Sequence, residues 1–381
     1  MSQKMLIIAG EASSALYAER LIEEFKNNNF NIEFYGVGSN AMEALGFRRL
    51  GKSEEMAVVG LQEVLAHYKD IKKVFNDVVT ETFKEKPNVI LLLDYPDFNF
   101  KLAKELSSLK IPVVYYISPQ LWAWRTSRIQ LVKKYINKML VLFPFEKDFY
   151  KKHDVDVDFV GHPLLDEIDE KLFSTSFQAE QRSGFAISPN DFVVGLMPGS
   201  RKSEIKHHLS TQIKAAEHLL IQKPQVKVCV LVAATLNIDE LKSQVHQPDK
   251  FIWVQSDPVK MIPMVDVVLC ASGTATIFVG LLKKPMAVMY KMNAFTAFLA
   301  KRLVKNTPFF GMVNLILNKE VCKEFFQDQA SPEELSAELL KLLNDKPYYD
   351  AQVSQLEELR VKLGSTGATQ RVFKSLIGYF Q

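Results

Sequence analysis

The amino-acid sequence predicts an α/β protein with two doubly wound domains. Short runs of apolar and β-branched residues alternate with longer segments of helical spacing, and this alternation occurs twice along the chain. Because the short runs are apolar throughout, they indicate parallel strands that are buried on both faces of a sheet. A polar segment, 165–191, separates the two series and contains the turn signal Ser188-Pro189. Such a segment is typical of a linker between domains.

The predicted elements follow this alternation in order. In the first half, strands are predicted at 5–10, 32–38, 89–95, 111–118, 138–144 and 157–161, with helices at 14–27, 60–84 and 100–109. In the second half, strands are predicted at 192–200, 226–234, 250–255, 266–272 and 284–290, and the stretch 332–381 has helical spacing alone. We therefore predict an N-terminal domain over 1–168, a second domain over 190–345 and a C-terminal helical tail over 346–381.

The composition excludes several classes of protein. Hydrophobic residues make up 48% of the chain and charged residues 24%, as in a globular rather than a disordered protein. The net charge of +3 is too small to indicate a nucleic-acid partner. The three cysteines are far apart, which argues against a disulfide framework. No apolar run is long enough to span a bilayer or to form the core of a signal peptide, so we expect a cytoplasmic protein that can rest on a membrane surface.

Functional residues are expected where the predicted strands end, because ligands of open parallel sheets bind outside the carboxyl ends of the strands. In the first half these positions hold small and acidic residues, namely Gly10, Glu11, Ser13, Asp94, Asp97 and Ser118. In the second half they hold Gly199, Ser200 and Arg201, and then Ser272, Gly273, Thr274, Ala275 and Thr276. Both halves therefore place small residues and charges on the ligand-binding edge of a sheet.

The turn Pro198-Gly199-Ser200-Arg201 has the pattern of an anion site. It follows a strand and precedes a helix, whose first N–H groups and positive dipole favour an anion, and Arg201 adds a bidentate fork for phosphate. The turn 272–276 repeats this order with two threonine hydroxyls. The alternative is a pair of tight turns that only cap helices. Neither turn is a Walker A sequence or a GxGxxG fingerprint, which disfavours a nucleoside triphosphatase and a dinucleotide oxidoreductase.

Asp94 is a candidate general base, because a carboxylate at the end of a buried strand is partly desolvated. The alternative is that Asp94 or Asp97 caps the helix that is predicted to begin near Phe98. Glu11 can likewise cap a helix or orient another side chain. The sequence also disfavours metal catalysis, because its histidines and cysteines lack metal-ligand spacing, and we predict no cofactor.

Two stretches without any acidic residue, 110–140 and 283–319, mix aromatic and basic side chains. This mixture is typical of a surface that contacts an anionic membrane. The residues expected to make that contact are Trp124, Phe295, Phe298, Lys301, Arg302 and Lys305. The alternative is a helix with a core-facing apolar stripe and a solvated basic face.

Several motifs in this order resemble those of the lipid-A-disaccharide synthases, bacterial glycosyltransferases with the GT-B fold. The matching stretches include AGEAS (9–13), DYPDFN (94–99), ISPQLWAWR (117–125), FVGHPLLD (159–166), PGSR (198–201) with Glu204, ASGTAT (271–276) and AKRLVK (300–305), and then Asn314, Glu324 and Gln327. The resemblance implies two Rossmann-like domains that face one another across a cleft, with C-terminal helices.

The resemblance also implies an activity. It is the metal-independent, inverting transfer of diacylglucosamine from UDP-2,3-diacylglucosamine to 2,3-diacylglucosamine 1-phosphate, which gives a β(1→6) disaccharide 1-phosphate and UDP. The reaction is expected at the cytoplasmic face of the inner membrane, and the resemblance hints at a homodimer.

By the same resemblance, the essential aspartate of the family falls on Asp94 and its essential arginine on Arg201. The donor pocket is expected to include Gly199, Ser200, the turn 272–276 and Asn314. We expect the acceptor side of the cleft to include Gly10, Glu11, Ser13, Asp97, Ser118, Trp122 and Arg125.

The chain departs from the family pattern at two places that matter. Ser14 and Ala15 stand where the family has glycine and aspartate, and Phe278 stands where it has an acid suited to ribose hydroxyls. A smaller change puts Met312-Val313 in place of Leu-Pro. These departures leave one alternative open, a non-catalytic paralogue that binds UDP-sugar or lipid. A second alternative is a GT-B relative that acts on another UDP-sugar, such as an epimerase, but the WAWR and DxPDFN stretches disfavour it.

Overall fold

The computed structural model describes residues 3–56, 61–122, 126–293 and 308–380, without the side chains of Ala12 and residues 61–68. The chain divides into two compact units. The first is Met1–Pro163 together with Leu363–Gln381, and the second is Leu164–Lys362. Each unit has one parallel sheet with helices, so the predicted α/β class with two doubly wound units is confirmed.

The first unit contains a seven-stranded parallel sheet with the order β3-β2-β1-β4-β5-β6-β7. Its strands are β1 (Gln3–Ala9), β2 (Ile32–Gly38), β3 (Arg48–Lys52), β4 (Val89–Leu93), β5 (Val113–Tyr116), β6 (Lys138–Val141) and β7 (Val157–Phe159). The helices between them are α1 (Ala12–Asn27), α2 (Asn40–Ala44), α3 (Ser53–Met56), α4 (Leu61–Glu85), α5 (Pro96–Glu105), α6 (Ile129–Tyr135) and α7 (Pro144–Lys151). Short 3-10 helices lie at Leu106–Leu109 and Thr126–Arg128.

The second unit contains a six-stranded parallel sheet with the order β10-β9-β8-β11-β12-β13. Its strands are β8 (Val193–Met197), β9 (Lys227–Val232), β10 (Ile252–Gln255), β11 (Val267–Ala271), β12 (Met286–Tyr290) and β13 (Glu324–Phe326). Its helices are α8 (Thr175–Ser183), α9 (Lys202–Gln222), α10 (Ile238–Lys242), α11 (Pro258–Met261), α12 (Ala275–Leu281), α13 (Met312–Leu317), α14 (Pro332–Asn344) and α15 (Lys346–Leu363).

The predicted strands are buried for the reason that the sequence indicates. All residues of β4 and of β11 are buried, and each strand lies near the middle of its sheet with helices on both faces. Because buried apolar surface stabilises a fold by roughly 25 cal/mol per Å², such strands contribute to the stability of each unit. Two edge strands, β3 and β13, were not predicted. The sequence of β3 is short and rich in charged residues, and β13 has only three residues.

The C-terminal segment is shared between the units rather than forming a separate tail over 346–381. Helix α15 belongs to the second unit, whereas α16 (Ala368–Leu376) returns to the first. The physical reason is an aromatic contact, since the Phe373 ring of α16 lies 4.8 Å from the Phe25 ring of α1. Arg371 reinforces this by donating to the carbonyl of Val160, at 2.7 Å.

The segment predicted as a linker is likewise packed into the second unit. Arg182 of α8 is 3% exposed and forms a bidentate pair with Asp266, at 2.8 and 2.9 Å. Its guanidinium also donates to the carbonyls of Met264 and Pro189. A buried charge with this many partners ties α8 to the start of β11.

The strand orders place a topological switch point in each sheet. In the first unit it lies between β1 and β4, and in the second between β8 and β11, because the chain runs outward on opposite sides of these pairs. The carboxyl ends of strands at such a point form the usual ligand crevice of an open α/β sheet. Within the described residues, no helix combines the length and apolar character that crossing a membrane requires.

Candidate active site

Gly10 and Asp94 follow the two strands that flank the first switch point. Gly10 comes directly after β1 and Asp94 directly after β4. A Cβ on Gly10 would lie 3.0 Å from the ring of Tyr95, so glycine is needed there for the close approach of the two loops. The predicted residues Gly10 and Asp94 are therefore brought together at the ligand-binding edge of the first sheet.

The backbone after β4 and β5 is strained. Asp94 and Tyr95 both adopt left-handed conformations, with φ of 46° and 45°, and Ile117 after β5 has φ of 66°. Such conformations cost about 1–3 kcal/mol each for residues other than glycine, and they concentrate at functional sites. This is also why the predicted strands 89–95 and 111–118 end earlier in the structure, at Leu93 and Tyr116.

The Asp94 peptide is held from both sides. Its N–H donates to the carbonyl of Tyr116, and its own carbonyl accepts hydrogen bonds from the Asn99 amide, at 2.6 Å, and from the Tyr115 hydroxyl. Asn99 also donates to the carbonyl of Leu93. Both Asn99 and Tyr115 are fully buried, and Asp94 is half-buried. The turn is thus fixed while the Asp94 residue retains exposure.

Neither aspartate of this loop is the helix cap. Helix α5 begins at Pro96 and its N-cap residue is Tyr95. Asp97 lies in the first turn, where a carboxylate favours the helix dipole, and it pairs with Arg128. Because the Asp97 side chain is 75% exposed, this pair adds little stability. The capping alternative for Asp94 therefore has no support in this geometry.

The start of α1 explains one departure from the family pattern. Glu11 is its N-cap residue, and the Ser14 hydroxyl accepts from the Glu11 N–H at 3.1 Å. Ser14 and Ala15 are buried, whereas Ser13 is exposed. The serine that replaces glycine is thus a capping residue, and the alanine that replaces aspartate packs in the core.

A buried polar cluster lies beyond β5 and β6. The Ser118 hydroxyl lies 2.7 Å from the Tyr150 hydroxyl, and Glu146, which is 2% exposed, accepts from the Phe143 N–H at 3.1 Å. Burial raises the pKa of Glu146 to about 8. Trp122 packs edge-on against the ring of Phe145 at 4.9 Å. Ser118 and Trp122 are therefore parts of one packed loop cluster.

The turn 198–201, which follows β8, is shaped by the carboxylate of Glu204. Gly199 has φ of 127°, and a Cβ there would lie 2.5 Å from Glu204 Oε2. That oxygen accepts from the N–H groups of Ser200 and Arg201, at 2.8 and 3.3 Å. The backbone donors that the sequence suggested for an external anion are thus bonded to Glu204. The Arg201 side chain, 46% exposed, has its Nη1 3.7 Å from Glu204 Oε1.

His208, one turn further along α9, was missed by sequence reasoning. It is fully buried, with Nδ1 3.0 Å from the Pro198 carbonyl, and its Nε2 accepts from the Lys291 N–H at 3.0 Å. Burial lowers its pKa, which favours the neutral ring that can donate from Nδ1 and accept at Nε2. His208 therefore ties the turn before Arg201 to the end of β12. The spacing 201, 204 and 208 places all three on one face of α9 and is the signal that could have identified it.

The second turn leaves open space at its glycine. Among the described residues other than its two chain neighbours, none has an atom within 4 Å of the position that a Cβ on Gly273 would take. The Ser272 hydroxyl donates to the Phe310 carbonyl at 3.0 Å, and the buried Thr276 hydroxyl donates to the Gly273 carbonyl at 2.7 Å. Ala275 begins α12, which has only seven residues, and Thr274 is exposed beside it. The hydrogen bonds of Ser272 and Thr276 thus fix the turn, and Gly273 itself is exposed.

Asn314 is engaged inside the second unit. Its amide donates to the Cys322 carbonyl and to Glu324, and its oxygen accepts from the N–H groups of Val321 and Cys322. Glu324 in turn accepts from the N–H groups of Phe310 and Gly311. These bonds leave the Asn314 amide with no donor or acceptor for a nucleotide, because all of them are used to shape the loop at 310–311.

Several predicted residues lie outside the described part of the chain, namely Trp124, Arg125, Phe295, Phe298, Lys301, Arg302 and Lys305. Among the residues that the structure does describe, no three His, Cys, Asp or Glu side chains come together as a metal site.

The sequence matches a family model described as lipid-A-disaccharide synthetase over residues 5–371. A lipid-A-disaccharide synthase from Trichlorobacter lovleyi is 36% identical over 371 residues, which cover 97% of this chain and 96% of that protein. A lipid-A-disaccharide synthase from Koribacter versatilis is 36% identical over 386 residues, which cover 99% of each.

A solved structure shares the fold at low sequence identity. The crystal structure of UDP-GlcNAc 2-epimerase from Neisseria meningitidis bound to UDP-GlcNAc superimposes with a TM-score of 0.69 and 14% identity, covering 99% of this chain and all of that one. The family match and the two synthases span almost the whole chain and both of its units. The chain therefore belongs to the lipid-A-disaccharide synthetase family, and it is a glycosyltransferase of lipid A biosynthesis.

Proposed function

We propose that this enzyme transfers diacylglucosamine from UDP-2,3-diacylglucosamine to the 6-hydroxyl of 2,3-diacylglucosamine 1-phosphate, with inversion and without a metal ion. The products are the β(1→6) disaccharide 1-phosphate and UDP. The observation that carries the proposal is the position of Asp94, a half-buried carboxylate directly after β4, held in a strained turn at the switch point of its sheet.

Asp94 is proposed as the general base. Inversion requires the acceptor hydroxyl to attack the anomeric carbon from the face opposite the leaving group, and a base must take the hydroxyl proton. The carboxylate is well suited to this task because the fixed turn reduces the conformational freedom that catalysis would otherwise have to overcome. The neighbouring residues Gly10, Glu11, Ser13, Asp97 and Ser118 are proposed to line the acceptor side of the same edge.

Arg201 is proposed to stabilise the departing diphosphate. Glu204 occupies the backbone donors of Ser200 and Arg201, so the guanidinium, on a side chain that is 46% exposed, is the group of this turn that we propose for contact with an anion. A guanidinium can bind two phosphate oxygens at once and strengthens its hold as negative charge develops on the leaving group. The Thr274 hydroxyl is proposed to add a further contact, while Ser272, whose hydroxyl donates to the Phe310 carbonyl, is proposed to shape the turn.

The remaining donor contacts are proposed from the open turn at Gly273, where the backbone can approach a ligand closely. Phe278 stands where the family has an acid, so ribose contacts must come from other groups of this unit. Asn314 is proposed to act through the loop at 310–311, whose shape it and Glu324 maintain.

The acceptor and the membrane surface are both anionic, and we propose that basic and aromatic residues contact them. The residues concerned are Trp124, Arg125, Phe295, Phe298, Lys301, Arg302 and Lys305, with Trp122 on the acceptor side. Each basic residue near an anionic surface contributes about 1 kcal/mol to membrane binding. The site of action at the cytoplasmic face of the inner membrane and a homodimer also stay predictions.

The test is detection of the disaccharide product by thin-layer chromatography with purified enzyme. We expect product and UDP only when both acylated sugars are present, with a rate that EDTA leaves unchanged. UDP release without the acceptor, loss of activity in EDTA, or epimerisation of the UDP-sugar would contradict the proposal. Saturable binding of UDP-sugar without turnover would instead indicate a binding protein.

A further inference from the structure

Two buried side chains meet on one backbone atom at the end of β4. The carbonyl oxygen of Asp94 accepts a hydrogen bond from Asn99 Nδ2, at 2.6 Å, and a second one from the Tyr115 hydroxyl. Asn99 lies on α5 and Tyr115 lies on β5, so the two donors come from different elements on either side of the turn. Both side chains are 0% exposed, which means that water does not compete for these bonds.

This arrangement opposes the intrinsic preference of the chain. Asp94 and Tyr95 occupy consecutive left-handed conformations without glycine, which L-residues avoid because the Cβ crowds the backbone. Neither residue can be expected to stay in this conformation unless the surrounding structure holds it there. The two hydrogen bonds to the Asp94 carbonyl, with the Asp94 N–H bonded to the Tyr116 carbonyl, provide that restraint.

We propose that Tyr115 and Asn99 are positioning residues for the transfer reaction, which hold the Asp94 carboxylate in place by binding its own backbone carbonyl. The inference rests on the proposed role of Asp94 as the base. Neither residue is proposed to touch a substrate, since both are fully buried.

The hydroxyl of Tyr115 is the informative atom, because its ring has a separate packing role. The ring lies 5.5 Å from the Phe100 ring within the core of the first unit. Tyr115→Phe keeps that packing and removes only the hydrogen bond to Asp94. The chain offers a matched control in Tyr35 of β2, which is also 0% exposed in the same core. Within the described part of the chain, the Tyr35 hydroxyl makes no hydrogen bond of normal geometry.

The experiment compares Tyr115→Phe and Tyr35→Phe in the disaccharide assay, with kcat and KM determined for both substrates. For Tyr115→Phe we expect kcat to fall by about tenfold with KM nearly unchanged, because the base is displaced while the binding groups stay. For Tyr35→Phe we expect kcat to stay within about twofold of the parent enzyme. Equal losses in the two variants would assign the Tyr115 effect to the core in general and overturn the inference.

The decisive measurement repeats Tyr115→Phe in the Asp94→Asn background. If Tyr115 acts through the Asp94 carboxylate, its substitution costs nothing further once that carboxylate is gone. A full tenfold loss in that background would overturn the inference. Near-normal turnover by Asp94→Asn alone would instead remove the base role, so the two failures are distinguishable. If Tyr115→Phe does not fold, Asn99→Ala takes its place. Its folding is checked by circular dichroism, and its kcat is compared in the parent and Asp94→Asn backgrounds with the same criteria.

Discussion

The turns at the carboxyl edges of the two sheets are stabilised by different groups. In the first unit, the chain leaves β4 through two left-handed residues without glycine, and buried side chains from neighbouring elements hold them. In the second unit, the chain leaves β8 through Gly199, and a carboxylate from the next helix, Glu204, binds the backbone of the turn. The turn at the first edge is thus stabilised by hydrogen bonds from buried side chains. The turn at the second edge is stabilised by a glycine and by a carboxylate of the following helix.

This difference suits the chemical tasks that we propose for Asp94 and Arg201. A base must be fixed relative to one hydroxyl, so a rigid, partly buried turn is appropriate for Asp94. A group that meets a diphosphate benefits from reach, and Arg201 extends from a capped turn with nearly half of its side chain exposed. We therefore expect substitutions at the first edge to change kcat, and those at the second edge to change both kcat and KM for the donor.

Asp94→Asn should have the largest effect. It keeps the size and the backbone of the turn but removes the proton acceptor, so kcat should fall by about 10²–10⁴-fold, the usual contribution of a general base. Steady-state kinetics with both substrates measure this. Asp77→Asn, at an exposed position of α4, is the control and should stay close to the parent enzyme.

Arg201→Lys should come next. Lysine keeps the charge but cannot form the bidentate fork, so we expect kcat/KM for the donor to fall by about 10²–10³-fold. Lys202→Ala is a suitable control, because Lys202 is 78% exposed and lies on the adjacent position. A loss in Lys202→Ala with no loss in Arg201→Lys would show that net charge, rather than the geometry of the guanidinium, is what matters.

Gly199 and Gly273, the glycines after β8 and β11, should respond differently to substitution by alanine. Gly199→Ala places a Cβ 2.5 Å from Glu204 Oε2 at a φ of 127°, so the free energy of unfolding should fall by about 1–3 kcal/mol. In Gly273→Ala the added Cβ has no neighbour within 4 Å in the described part of the chain, apart from the adjacent residues, and stability should change by less than about 0.5 kcal/mol. If a donor binds against this turn, Gly273→Ala instead raises KM for the donor. Thermal unfolding together with kinetics separates the two outcomes, and an unchanged KM would place the donor elsewhere.

The buried Glu146 predicts a pH-dependent stability in the first unit. Its pKa is raised to about 8 on folding by burial, so folding takes up a proton between the unfolded value, about 4.5, and about 8. The free energy of unfolding should therefore fall as pH rises through this window, by at most about 1.4 kcal/mol per pH unit from this residue. In Glu146→Gln that contribution should vanish, which denaturant unfolding at pH 5 and pH 8 can measure. Parallel pH profiles of the two proteins would contradict the assignment.

The sequence predicted the sheets well and their ends poorly. Apolar runs such as Val89–Leu93 are buried strands, as their composition indicates. The same apolar character continued the prediction past the true ends, into Asp94-Tyr95 and Ile117-Ser118, because a left-handed turn of ordinary residues leaves no mark in composition. The edge strand Glu324–Phe326 was missed for a different reason, since three residues are too few to show a strand pattern.

The sequence by itself determined that two parallel sheets form, which residues follow their strands, and that the motifs around Asp94, Arg201 and Ser272 belong to one family. Periodicity and spacing carry this information because they depend on neighbours along the chain. Only the tertiary structure decided which side chains hold those residues. Tyr115 reaches Asp94, and His208 reaches Lys291, across 21 and 83 positions of sequence. Contacts over such separations depend on how strands and helices pack, and local sequence does not record them.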